Sequence, residues 1–230
     1  MSNVFYCIPT YVCFDLCSRA IDAAFASTLQ PTHVIVIDNS GNGAATLALK
    51  DKLAQYNGRL YVWVETSNTG VGPAWNRFLR ELDDDYVIIA NDDVAVHKDT
   101  IRLMVESAKE WNRGDSKQYM VVGDHHSGNS FSLFLLTKEG FRTVGEFDET
   151  FWPAYFEDND YAYRMILANN PFREVPGATF DHVGSATVRS YDEAARRRSA
   201  ALFENNRAYY ISKWGGMPAE EIYKTPFGGE

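Results

Sequence analysis

A chain of 230 residues is one large domain, or one domain with a tail, and leaves no room for a second core of ordinary size. Its 22 Lys and Arg against 31 Asp and Glu give a net charge of −9, which excludes a generic binder of nucleic acid or anionic membrane; the phosphates of a small ligand have to be met locally. With 45% hydrophobic and 23% charged residues the chain can bury a core without disulfides or a structural metal, which excludes disorder as its main state.

The first half alternates short apolar runs with amphipathic stretches, the pattern of parallel β-α-β units. Strands are expected at residues 4–9, 33–38 (HVIVID), 60–65 (LYVWVE) and 86–90 (YVIIA), all rich in β-branched or aromatic residues. Helices are expected at 15–27, 44–55 and 73–81, the last opening on Pro73. A further helix follows Asp99, with Ile101, Met104, Val105, Ala108 and Trp111 at helical spacing. The second half is mixed: strands at 120–123, 131–137, 172–175 and 178–182, and helices at 158–169 and 192–214. This predicts an α/β fold whose mainly parallel sheet gains antiparallel strands towards the C-terminus. Residues 1–216 read as one domain and 217–230 as a loosely ordered tail. Cys7, Cys13 and Cys17 form no C-x-x-C pair and read as small core residues of a reducing compartment. With neither a signal peptide nor an apolar run of membrane-spanning length, the chain reads as a cytoplasmic protein.

Ligands of open parallel sheets bind beyond the carboxyl ends of the strands. There the sequence places Thr10 and Tyr11, then Asp38 with Asn39 and Ser40, then Asn68, then Asn91, Asp92 and Asp93. Two carboxylates at the end of a buried strand repel each other unless a cation relieves them, and a hard divalent metal shared with a diphosphate would do so. An Asp pair is also a common turn former or helix cap. Glu157, Asp158 and Asp160 follow an aromatic run and precede a helix, which suits either first-turn charge favoured by the helix dipole or a general base beside apolar walls. His182 reads as a hydrogen-bonded structural histidine, or as a nitrogen ligand to Mn²⁺ if it faces the aspartates. His125 and His126 read as loop or acceptor-site residues. Of the cluster Arg189, Arg196, Arg197, Arg198, Arg207 and Lys213, most reads as a solvated helix face.

In order and spacing, the segments IPTY, VIVIDNSGNG, TSNTGVGPAWNRFLRE, IIANDDVAVH, GEFDETFWPAYFEDNDYAYRM and KWGG resemble glycosyltransferase family 2, of GT-A fold. One position departs: Asn91 opens the D-x-D-like triplet, so the acidic duty falls on Asp92 and Asp93. The resemblance implies transfer of a sugar from a nucleotide diphosphate donor, expected to be a UDP-sugar, to a saccharide or other hydroxyl acceptor, with inversion. It implies a nucleoside pocket of Thr10, Tyr11, Asp38, Asn68 and Asn76, with Asp38 accepting from a uracil ring N–H. It places Asp92 near the ribose or metal, Asp93 and His182 on Mn²⁺ or Mg²⁺, Asp158 as catalytic base and Glu157 as its helper at the acceptor. Lys213 falls in KWGG, which resembles a segment closing over the donor, and would meet the diphosphate. Against a sugar nucleotidyltransferase, the loop IPTYVCFD after the first strand contains no glycine. A non-catalytic carbohydrate-binding domain of the same fold is the rival from another class.

Overall fold

The structure is a computed structural model and describes residues 3–82, 86–112, 117–124, 130–184 and 186–229. Four strands open the sheet: β1 (Val4–Thr10), β2 (His33–Asp38), β3 (Leu60–Val64) and β4 (Tyr86–Ala90). β1 lies between β2 and β4, and β3 pairs with β2, all in parallel. The connections are α1 (Phe14–Phe25), the pair α2 (Ala44–Ala48) and α3 (Lys50–Gln55), and α4 (Val71–Glu81). The single helix expected over 44–55 is therefore divided, at Leu49, which is buried with φ −96° and ψ 10°.

The sheet continues through β5 (Val94–Val96), α5 (Thr100–Trp111), β6 (Met120–Asp124), β7 (Leu133–Leu136), α6 (Lys138–Val144), α7 (Glu157–Leu167) and β8 (Arg173–His182). Its order is β3-β2-β1-β4-β7-β6-β8-β5. β7 runs antiparallel between β4 and β6, so Leu133, at its start, lies opposite Ala90, at the end of β4. β5 and α6 were not expected from the sequence. β5 is too short to show a period, and it forms by pairing antiparallel with β8, Val94 opposite His182. The two strands expected at 172–175 and 178–182 are one strand with an irregularity at Pro176-Gly177, where Gly177 donates its N–H to Asp124 (2.9 Å). Pro and Gly ended the sequence pattern there without ending the strand.

Side chains alternate across the sheet, which divides the core into two layers. Tyr6, Ile8, Val34, Val36, Ile88, Leu133 and Leu135 face α1 and α5. Cys7, Ile35, Ile37, Ile89, Val122, Phe134 and Leu136 face α4 and α7. Cys7 and Cys17 are buried and all three cysteines are free. Two further helices, α8 (Ala186–Arg189) and α9 (Glu193–Trp214), close the chain. α9 is capped by Asp192, which accepts from Ala195 N–H (2.7 Å), and stops at Gly215 with φ 78°.

A third apolar cluster of Phe151, Phe156, Tyr210 and Trp214 seats α9. Lys213 is buried beside it, with Nζ 2.7 Å from Asp148 Oδ2 and 2.6 Å from Asp160 Oδ1. Trp214 Nε1 donates to Asp160 Oδ1 (2.9 Å) and Arg164 Nε donates to Asp160 Oδ2 (2.9 Å). The tail, expected to be loosely held, folds back on this corner. The N–H groups of Ile222 and Tyr223 donate to the Trp214 carbonyl (3.0 and 2.9 Å), and Tyr163 Oη donates to the Tyr223 carbonyl (2.9 Å). Among the described residues, no helix is long and apolar enough to cross a membrane.

Burial alone would raise the Asp148 carboxyl, but Lys213 and the Thr150 N–H outweigh it and hold the group at about 2. A carboxyl lowered on folding stabilises above its unfolded value near 4, and that stabilisation is lost as pH falls towards 2. Lys213→Ala is expected to cost about 3 kcal/mol near pH 7, the lower end for breaking a buried pair, because it removes the ammonium from buried Asp160 and partly buried Asp148 while their other hydrogen bonds remain. Urea denaturation at stepped pH should show the gap between the two proteins closing between about pH 4 and pH 2.

Candidate functional site

A cavity of about 270 Å³ opens beyond the carboxyl ends of β1, β2 and β4, and α7, α8 and α9 complete its walls. Thr10, Tyr11, Asn68, Asp92, Asp93, Glu157, Asp158 and His182 line it. Strand polarity explains the convergence. β1, β2, β3 and β4 end on this edge, β7 begins on it, and β8 returns to it at His182.

Thr10 Oγ1 donates to Asp92 Oδ2 (2.7 Å). Burial, which outweighs that bond and is reinforced by the neighbouring Asp93 charge, pushes the Asp92 carboxyl up to about 7. Asp93 Oδ1 stands 3.1 Å from His182 Nε2, with both side chains nearly buried. The backbone repeats the pairing, since Val183 N–H donates to the Asp93 carbonyl (3.2 Å). Ser132, just before β7, places Oγ 3.4 Å from His182 Nδ1. Among the described residues, no three His, Cys, Asp or Glu side chains are placed to hold a metal ion together. Asp93 and His182 supply an oxygen and a nitrogen into the cavity, so a divalent ion there needs its remaining ligands from substrate and water.

The opposite wall is the head of α7. Tyr155 and Phe156 precede it with φ 77° and 74°, left-handed values that cost aromatic residues about 1–3 kcal/mol each. Phe156 is the N-cap and offers no side-chain acceptor. Glu157 follows, buried, with Oε2 lacking a hydrogen-bond partner among the described residues. Burial, then the adjacent Asp158 charge, raises its carboxyl well above the ordinary range. Burial likewise raises Asp158, although its Oδ1 accepts from Asn159 N–H (2.8 Å). Trp75, Phe131, Pro153 and Tyr155 add the apolar part of the wall.

Three residues expected in the pocket are engaged elsewhere. Asp38 is fully buried, and its two oxygens accept from the N–H groups of Ser40 (2.8 Å) and Ala45 (2.9 Å), capping α2; its neighbour Asn39 reaches the cavity instead. Asn76 is buried and bonds the Phe147 carbonyl (2.9 Å) and N–H (2.8 Å), fixing the 147 loop to α4. Lys213 is spent on Asp148 and Asp160. Backbone groups and carboxylates take up the polar atoms of all three. His125 and His126 lie outside the described residues. Thr187, Tyr191 and Ser199, contributed by α8, α9 and the turn between them, line the cavity and carried no motif in the sequence.

Gly70 fixes where the two walls meet. Its φ is +97°, and a Cβ there would stand 3.0 Å from the Pro153 carbonyl oxygen and from Trp152 Cδ1. Val71 N–H donates to that same carbonyl (2.8 Å), and Trp152 Nε1 donates to the Asn68 carbonyl (3.2 Å). Gly70→Ala is expected to destabilise by about 1–3 kcal/mol and to move Trp152. Denaturant unfolding and tryptophan emission measure the two effects.

A match to Glycosyl transferase family 2 spans residues 6–166. The chain is 37% identical over 119 residues to a galactofuranosyl glycosyltransferase of Leishmania donovani. That stretch is 50% of this chain and 26% of the relative, so the chain spans about a quarter of the relative's length. Among solved structures, the mannosyltransferase PcManGT from Pyrobaculum calidifontis, in complex with GDP-Man and Mn²⁺, superposes with a TM-score of 0.68 at 18% identity, over 95% of this chain and 66% of that one. TarS of S. aureus (residues 1–349) gives 0.61 at 16%, over 89% and 71%. The fold held in common is the GT-A fold.

Proposed function

The chain belongs to glycosyl transferase family 2, and on that premise we propose that it transfers a sugar from a nucleotide diphosphate donor to an acceptor hydroxyl, with Asp158 as general base. One observation carries the reading: the Asp93–His182 pair, at the ends of β4 and β8, and the Glu157–Asp158 pair, at the head of α7, line one cavity. Thr10, Tyr11, Asn39 and Asn68 border the side of the strand ends, where the nucleotide would lie. Asp158 then faces the acceptor.

A divalent ion held by Asp93 and His182 would supply charge neutralisation for the departing diphosphate. Asp92, held by Thr10, adds a carboxylate beside it. Across the cavity, Asp158 accepts the acceptor's hydroxyl proton as its oxygen attacks the anomeric carbon. Base and leaving group stand on opposite sides of the sugar, which gives inversion. Burial of Asp158 brings its pKa nearer to that of a hydroxyl, which favours proton transfer provided the group is ionised. Glu157, which lines the same wall, would help to hold the acceptor. Asp38 is engaged in capping α2, which takes away the support for a uracil preference, so the donor class we propose is nucleotide diphosphate sugar in general.

Uridine, thymidine and guanosine diphosphate sugars, each with Mn²⁺, provide the test: no binding and no sugar release from any of them sinks the reading. Metal-independent binding without turnover would favour a carbohydrate-binding module instead. Asp158→Asn is expected to lower kcat by at least about 100-fold, the lower end of general-base contributions, with donor affinity by calorimetry within about twofold. In the wild type, kcat should fall with decreasing pH through a pKa above the ordinary aspartate value, because burial raises the base.

A further inference from the structure

We propose that Asn206, on α9, is a positioning residue for the base, acting through the backbone that leads into α7. Its side-chain Nδ2 donates to the Ala154 carbonyl (2.9 Å) and to the Tyr155 carbonyl (3.2 Å). Those two carbonyls belong to the turn in which Tyr155 and Phe156 adopt left-handed backbone angles, immediately before Glu157 and Asp158. Two aromatic residues in succession hold such angles only where their surroundings over-determine them. The amide of Asn206 is well suited to do so, since one planar NH₂ group offers two donors at a fixed angle and here uses both. It is buried, so a truncated side chain would leave the two carbonyls without the partner that holds them.

Packing supplies the rest of the constraint. Phe156 rests on Phe203 and Tyr210, one turn before and one turn after Asn206 on α9, with ring centroids 5.2 and 5.5 Å apart. Tyr155 meets Phe203 edge-on at 5.3 Å and lines the cavity. Asp160 N–H donates to the Phe156 carbonyl (2.9 Å), which makes the turn the first link of the helical ladder that carries Asp158. A shift in the 154–156 backbone therefore re-aims the base and the Tyr155 ring together. The strand-end wall, with Asp93 and His182, has no part in this contact.

The inference rests on Asp158 as base, and the experiment separates the two. Asn206→Ala and Asn206→Asp are compared with the wild type and with Asn205→Ala, an exposed neighbour on the same helix. The aspartate variant is nearly isosteric but, when ionised, sets a carboxylate against two carbonyl oxygens. Both Asn206 variants are expected to lower kcat at least tenfold, to leave calorimetric donor affinity within twofold, and to speed amide hydrogen exchange across residues 156–160. Asn205→Ala should match the wild type in all three. The proposal is overturned if kcat stays within twofold, if donor affinity falls as far as kcat, or if exchange across 156–160 is unchanged. A wild type that transfers no sugar from any donor removes the base assignment, whereas the exchange comparison still decides whether Asn206 holds the turn.

Discussion

One buried ammonium organises the C-terminal half of the molecule. Lys213 lies within 2.7 Å of two carboxylates, Asp148 in the loop before α7 and Asp160 within it. Burying an ion pair gains little over apolar packing of the same volume, so strength of attachment is a poor reason for it. Geometry is a better one. Trp214 and Arg164 close the hydrogen bonds of Asp160, and Tyr209 Oη donates to Asp148 (2.9 Å), so a single rotation and register of α9 satisfies all the groups at once. That register brings Asn206 to the 154–155 carbonyls and Ser199 to the cavity. A greasy contact would tolerate sliding by a turn, and this network does not.

The cavity is lined by Asp92, Asp93, Glu157 and Asp158, and among the described residues no Lys or Arg lines it. In a chain of net charge −9 this would repel a diphosphate, unless a cation enters with it. Burial raises Asp92 to about 7 and lifts Glu157 and Asp158 as well, with an adjacent carboxylate adding to the rise at Asp92 and Glu157. In the proposed reaction, a divalent ion bound jointly by Asp93, His182 and a diphosphate would answer that repulsion on the strand-end side. On the same proposal the α7 side would need a different answer, because its carboxylate would have to stay free to take a proton. Placing the two pairs on different elements of the cavity lining would let one be neutralised while the other served as base.

The strand-end half of this site was legible in sequence because it is local. A short apolar run rich in β-branched or aromatic residues announces a strand, and whatever follows it lies at the carboxyl edge, which located Thr10, Asn68, Asp92 and Asp93 without tertiary information. Legibility stopped at the direction of each side chain. Asp38 and Asn76 lie in the expected segments, yet one caps α2 and the other ties down the 147 loop, because backbone groups beside them had no other partner. Lys213 shows the same limit, since a basic residue in a Gly-containing segment looks like a phosphate ligand until its two carboxylate partners, 53 and 65 residues away, are in place. Asn206 bonds backbone 51 and 52 residues earlier and left no pattern in the sequence.

That division between local and non-local determinants bears on what the molecule can vary. The strand-end wall is tied to the sheet, where Thr10 pairs with Asp38 of β2 and the Asp93 carbonyl, just before β5, accepts from Val183 N–H just past β8. The α7 wall hangs on α9, whose N-terminal turns are largely exposed and whose remaining contacts are side-chain bonds and a four-residue aromatic cluster. Changes in Tyr155, Tyr191 or Ser199 would alter the outer wall while leaving the sheet intact. In the proposed reaction the donor would thus be met by the rigid half of the fold. The acceptor would be met by the half that depends on one ammonium and one amide for its aim.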